Sequence, residues 1–166
     1  MPLSRPRRSG TALLCDLLVL FGSALALAAA LYMQHGKGLF PCTLCIIQRY
    51  AFIWVGFCAL LALLYPARWV RVLAVLVGVL GALGGVVAAA RNLWVMTHPE
   101  ILCGRDPVEL FLNQLPTAQW LPKVFMALGL CSDPIPPLFG LPLPAWSLLG
   151  LLVLAGLLLI SLRQRR

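Results

Sequence analysis

The sequence predicts an all-α membrane protein: a four-helix transmembrane bundle with one long extracytoplasmic loop that bears a short interfacial helix. Three observations carry that expectation. The chain is 61% hydrophobic and only 11% charged over 166 residues, whereas a soluble domain runs near half apolar and a quarter charged. Four apolar runs each approach the roughly 20 residues, at 1.5 Å of rise apiece, that a helix needs to cross the hydrocarbon of a bilayer. None of them alternates as a membrane β-strand does. In lipid a backbone must satisfy its own hydrogen bonds, so runs of this length are helices.

The first run, Leu13 to Tyr32, is apolar except for Asp16 near its start. Its basic flank and the Ala-rich stretch from Ala24 to Ala30 also resemble a secretory signal peptide. The run exceeds the roughly 7–15 residues of a signal core, however, and is read as a retained span. Thr43 to Leu64, Val70 to Ala90 and Ala145 to Leu162 are the second, third and fourth runs. The third carries Gly78, Gly81, Gly84 and Gly85. Small residues let membrane helices pack backbone to backbone, so this stripe is assigned to packing and to no site. The whole chain, 1–166, reads as a single membrane domain.

Charge sets the direction of the spans. Lys and Arg number 13 against five Asp and Glu, for a net charge of +8. The excess sits in short flanks: Arg5, Arg7 and Arg8; Arg68 and Arg71; Arg163, Arg165 and Arg166. A nucleic-acid site would need a basic stripe interleaved with polar and aromatic residues, and none is visible. Lys and Arg in short flanks mark the cytoplasmic side instead. Segments 1–12, 65–69 and 163–166 are therefore expected in the cytoplasm, and loops 33–42 and 91–144 outside.

The long outer segment holds nine prolines between Pro99 and Pro144. Proline removes a donor and breaks helices, so most of the segment is expected to be irregular. Within it Trp120, Leu121, Val124, Phe125 and Leu128 recur at near-helical spacing. That pattern fits a short amphipathic piece lying in the interface, interrupted by Pro122. The functional expectation is a mobile loop held to the membrane at one point; an aromatic anchor is the plainer alternative.

The chemistry concentrates at Cys42-Thr43-Leu44-Cys45 and Arg49, where a polar connection meets the second apolar run. Residues four apart on a helix share a face, so Cys45 and Arg49 are expected to look the same way. Helix N-terminal amides favour a thiolate. A charge within a span costs on the order of 2.5 kcal/mol at mid-depth and points to function, although near the surface Arg49 can also serve as a snorkelling anchor. Six cysteines are present. Cys15 and Cys58 fall inside spans and read as small hydrophobes. Cys42, Cys45, Cys103 and Cys131 all fall in or beside the outer loops, a side that permits disulfides. Four cysteines allow three pairings, and spacing alone leaves redox-active pairs, two structural bridges and a zinc site open. Zinc sites usually present two close pairs, and the wide gap from Cys103 to Cys131 argues against one, so no metal is expected. His35 and His98 are read as solvated.

At these residues the chain resembles a known family, the bacterial disulfide-bond formation protein B (DsbB) family. The resemblance rests on Pro41-Cys42-Thr43-Leu44-Cys45 with Gln48-Arg49, on the Cys103…Cys131 pair, on Leu115-Pro116 through Val124-Phe125, and on Phe139-Gly140-Leu141-Pro142. It implies a thiol–quinone oxidoreductase of the bacterial inner membrane. Such an enzyme reoxidises a periplasmic, thioredoxin-fold DsbA-like oxidase and passes the electrons to ubiquinone or menaquinone. Carried onto this chain, the resemblance implies that Cys103 receives the partner's thiolate and that Cys131 passes the equivalents to Cys42. Cys45 would face the quinone, and Arg49 would hold it. The quinone type and the preferred partner stay open, as does the part played by Arg91 and by the acidic loop residues Glu100, Asp106, Glu109 and Asp133.

Two other functions are weighed. A vitamin K epoxide reductase-like quinone reductase is also a four-helix bundle with Cys-x-x-Cys, but there the active pair usually sits near the last helices. A non-enzymatic membrane scaffold with two structural disulfides is the third reading. In either enzyme, withdrawal of quinone would leave the pairs reduced; in a scaffold they would stay oxidised.

Overall fold

The computed structural model describes residues 10–65, 67–98, 107–129 and 137–164. Along the chain run α1 (Gly10–Lys37), α2 (Thr43–Leu64), α3 (Arg68–Thr97), α4 (Pro107–Gln114), α5 (Pro116–Trp120), α6 (Pro122–Phe125) and α7 (Leu143–Arg163). Helices α1, α2, α3 and α7 are each long and apolar enough to cross a membrane. They close into a ring in which α1 packs on α2, α2 on α3, α3 on α7 and α7 back on α1. The described residues contain no β-strand, so the all-α membrane bundle expected from the sequence is the fold found.

Proline places several of the helix boundaries. Helix α2 stops before Pro66 because the residue preceding a proline is pushed out of the helical region, and Tyr65 is extended at φ −89° and ψ 124°. The bundle interior is built largely from small side chains, among them Ala51, Ala59, Ala74, Ala82 and Ala155, with Val55, Leu151 and Leu158. Small residues let the backbones approach closely. A Cβ on Gly85 would lie 2.5 Å from the Ala51 Cβ and 2.7 Å from Leu151 Cδ1. One on Gly81 would strike the Trp54 ring at 2.3 Å. Gly78, Gly81 and Gly85 are thus seats for α2 and α7, the packing use expected of them, whereas a Cβ on Gly84 would meet nothing within 4 Å. Outward-facing Leu25, Leu80 and Val153 are exposed, which in lipid is the favourable arrangement.

A buried polar contact pins α7 to α1 at the bundle end that holds the start of α1 and the end of α7. Ser161 Oγ on α7 donates to Asp16 Oδ1 on α1 at 2.7 Å, both side chains being buried. This accounts for the single acid within the first apolar run.

The structure departs from the sequence reading at several edges. Helix α1 continues past Tyr32 to Lys37, and α3 continues past Ala90 to Thr97. Arg68 and Arg71 belong to the first turn of α3 rather than to the connection, and Arg71 is buried. The described part of the segment between α3 and α7 is also more helical than its prolines imply. Pro107, Pro116 and Pro122 each open a helix rather than break one. At the first helical position the missing N–H costs nothing, because that group has no intrahelical partner anyway. The expected interruption at Pro122 separates α5 from α6.

These short helices dock on the N-terminal end of α2. Leu112 of α4 and Ala127 pack on Ile46. Asn113 clasps Ala127, accepting from its N–H at 2.9 Å and donating to its carbonyl at 3.3 Å. Tyr50 stacks on Phe125 with ring centroids 5.1 Å apart, and its hydroxyl bonds Thr117 Oγ1. The described part of the loop is therefore fixed at several points on protein. Ahead of α7, Leu138 and Leu141 exchange backbone hydrogen bonds of 2.9 and 3.1 Å around Phe139 and Gly140. Both central residues have positive φ.

Candidate functional site: a dithiol at the mouth of a membrane cavity

The Cys-x-x-Cys pair forms the start of α2. Cys42 is its N-cap, at φ −83° and ψ 171°, and Ile46 N–H donates to the Cys42 carbonyl at 3.1 Å as the first helical bond. No side chain caps this end. Its leading amides thus leave a partial positive charge beside the two sulfurs. The Sγ atoms of Cys42 and Cys45 stand 3.1 Å apart, a contact distance rather than the roughly 2.05 Å of a bonded pair. Cys42 is buried and Cys45 half-buried, and both pack with Leu44 and Val95.

A residue that sequence reasoning missed completes this pair. Asn92 of α3, 2% exposed, points its amide at both sulfurs. Its Nδ2 lies 3.5 Å from Cys45 Sγ and 3.8 Å from Cys42 Sγ. A primary amide carries two N–H donors, so one group can serve both sulfurs. Arg91 is exposed; its neighbour Asn92, not Arg91, enters the site. The available signal was a polar side chain on the same helix, immediately after an apolar run.

The two cysteines face different surroundings. Cys45, with Gln48 and Arg49 of the next turn, lines a cavity of about 230 Å³ between α1, α2 and α7. Its walls are otherwise mainly apolar, including Ala26, Ala30, Met33, Phe52 and Trp146. Cys42 lies instead beside the strap that follows α6. The amides of Leu128 and Gly129 both donate to the Pro41 carbonyl at 3.1 Å. A Cβ on Gly129 would sit 2.4 Å from the Phe40 carbonyl oxygen. Only glycine permits that approach, since backbone cannot give way as a side chain can.

Arg49 is 6% exposed. Its Nη1 donates to Gln34 Oε1 at 2.8 Å and to the Val124 carbonyl. Gln34 in turn donates from Nε2 to the Lys123 carbonyl at 2.8 Å. The arginine therefore joins α1, α2 and α6 while lining the cavity. Free snorkelling into water does not describe it. Gln34 was also missed, because the sequence reading ended the first span at Tyr32 and left it in a loop.

Cys103 and Cys131 lie outside the described residues, as do Glu100, Asp106 and Asp133. Cys15 and Cys58 are buried within α1 and α2, away from the cavity lining.

Comparison with known proteins shows the family. The family model "Disulfide bond formation protein DsbB" matches residues 13–161. The chain is 45% identical over 139 residues to disulfide bond formation protein B of Ralstonia nicotianae, covering 82% of this chain and 86% of that one. To the protein of the same name from Cupriavidus metallidurans it is 44% identical over 149 residues, covering 90% and 91%. To that of Herminiimonas arsenicoxydans it is 41% identical over 145 residues, covering 85% and 91%. With four membrane-length helices and a match over nearly all of its length, the chain is a multi-pass membrane protein and belongs to the DsbB family of disulfide bond formation proteins.

Proposed function

We propose that this chain is a thiol–quinone oxidoreductase that reoxidises a DsbA-like dithiol partner and passes the electrons through two cysteine pairs to a membrane quinone. The observation that carries the reading is the position of Cys45. Its side chain lines a cavity inside the bundle, while Cys42, 3.1 Å away, abuts the strap leading towards Cys131. An electron relay from an outer loop into the lipid phase needs a dithiol with one sulfur towards each side.

In this proposal the partner's thiolate attacks Cys103 of a Cys103–Cys131 disulfide and forms a mixed disulfide, leaving Cys131 reduced. The partner's second thiol resolves that bond and leaves as an oxidised partner. The loop dithiol then reduces Cys42–Cys45 by the same exchange. Finally Cys45 loses its proton, and its thiolate and the Cys42 thiol close their S–S bond again, releasing two electrons and a second proton. A bound quinone supplies the two-electron, two-proton acceptor. The cavity fits a flat ring with an apolar tail: its walls are mostly aliphatic and aromatic, with Gln34, Gln48, Arg49 and Ser147 among the polar groups. Asn92 and the α2 amides stabilise negative charge on sulfur. Arg49 adds positive charge at the cavity wall.

The side of the membrane belongs to the same proposal. The basic flanks support cytoplasmic termini and, with them, a dithiol at the periplasmic face of a bacterial inner membrane. Alkylation mapping after quinone removal tests the reading. With reduced partner present and quinone absent, both pairs should become alkylatable. Pairs that stay oxidised would leave only a structural role for them.

A further inference from the structure

The end of the bundle away from the dithiol holds a charge that none of the steps above uses. Arg71 lies in the first turn of α3, on the buried stripe that continues through Ala74, Val75 and Gly78. It is 7% exposed. Its Nε is buried and has no hydrogen-bond partner. Its two Nη groups also lack a partner among the described residues, but they keep accessible surface. The chain supplies no counter-charge. Of its five acids, Glu100, Asp106, Glu109 and Asp133 belong to the segment that joins the opposite ends of α3 and α7. Asp16, the fifth, takes the Ser161 hydroxyl and forms no ion pair with Arg71. Residues 1–9 and 165–166 include arginines and no acidic side chain. A buried charge without a partner is costly, so this one calls for an anion from outside the chain.

Helix α3 adds to that demand. Its N-cap, Ala67, provides no side-chain cap, and the leading amides leave a partial positive charge there. A helical side chain leans back towards its own N-terminus, so the Arg71 fork and these amides converge. Phosphate suits both: a guanidinium pairs with its oxygens two at a time, and helix N-termini bind it. Depth indicates the source. Thirty residues at 1.5 Å of rise make α3 about 45 Å long, the thickness of a bilayer with its headgroups. Its first turn thus stands at headgroup level, where Trp69, 85% exposed, serves as an interfacial anchor. We propose that Arg71 and the start of α3 form a binding site for the phosphate of an anionic phospholipid. The site is independent of the quinone reading.

The test uses the purified full-length chain in lipid-free micelles of a neutral detergent, titrated with dioctanoyl phosphatidylglycerol. Native mass spectrometry counts bound lipid, and thermal unfolding reads its effect on the fold. Wild type should take up one copy saturably and gain thermal stability with it. Arg71→Gln should bind about tenfold or more weakly, a loss of about 1.4 kcal/mol or greater. Arg71→Lys keeps the charge without the fork and should fall between; it carries the same comparison should the Gln variant not fold. Without lipid, Arg71→Gln should unfold no earlier than wild type, because it removes an unpaired buried charge. At saturating lipid it should unfold earlier. A deficit of equal size with and without lipid would mean a merely structural arginine and would overturn the proposal, as would equal lipid binding by wild type and Arg71→Gln. Tighter retention of inorganic phosphate than of phosphatidylglycerol would overturn the lipid as the source.

Discussion

Asn92 on α3 reaches across to α2 and holds its amide nitrogen 3.5 Å from the sulfur of Cys45. The contact ties the orientation of the dithiol to the packing of two membrane helices. It also supplies a neutral donor where a thiolate must form. Replacing Asn92 with Leu should slow alkylation of reduced Cys45 at neutral pH by about tenfold or more, because a donor to a charged group contributes about 1.5–3 kcal/mol. Asn92→Asp puts a carboxylate beside the sulfurs and should slow it further. Stopped alkylation followed by mass spectrometry checks the order: wild type fastest, then Leu, then Asp.

Gly129 and Phe40 make a second prediction. Any side chain at 129 meets the Phe40 carbonyl, so Gly129→Ala should lift the strap from Pro41. Transfer from the loop pair to Cys42 should then fall by about tenfold or more, a loss of roughly 1.4 kcal/mol or greater in the barrier. Reduction of Cys42–Cys45 by a small dithiol should continue at close to its original rate. Comparing turnover with a DsbA-like partner against turnover with dithiothreitol separates the two.

Arg49 is both a wall of the cavity and a tie to the strap. Arg49→Ala should weaken the apparent affinity for quinone. It should also destabilise the fold by about 1–3 kcal/mol, since the Gln34 oxygen and the Val124 carbonyl lose their donor. Gln34→Ala should loosen the strap with less effect on quinone. Quinone titration and unfolding in mixed detergent micelles, run on both variants, distinguish the two duties.

Ser161→Ala removes the pin between α7 and α1. Hydrogen bonds between membrane helices average about 0.6 kcal/mol and reach about 1.7 kcal/mol. The variant should lose stability in that range with its dithiol chemistry unchanged. Unfolding in detergent against thiol–quinone turnover measures both.

The bundle was legible in the sequence because hydrocarbon imposes a length and a helical backbone on any run that crosses it. The dithiol and Arg49 were legible because their spacing is local to one helix. The short piece around Pro122 was legible in the spacing of Trp120, Val124 and Phe125; α4 and the start of α5 were not, because proline reads as a breaker, whereas Pro107, Pro116 and Pro122 occupy the one helical position where its missing donor is harmless. Asn92, Gln34 and Gly129 were not legible for a different reason. Each acts on a residue of another segment, and only the packed bundle brings Asn92 to Cys45, Gln34 to Arg49 or Gly129 to Phe40. The acceptor of the electrons and the identity of the donor are carried by chemistry outside the chain, which no pattern within it specifies.

The central claim is that Cys45 delivers electrons from the cysteine pairs to quinone. The most direct measurement is quinol formed per partner dithiol oxidised, on purified wild-type and Cys45→Ser chains with a reduced DsbA-like partner and a defined quinone. Wild type should give one quinol per dithiol. Cys45→Ser should give none while still trapping the partner as a mixed disulfide at Cys103. Quinol formation at the wild-type rate by Cys45→Ser would contradict the account.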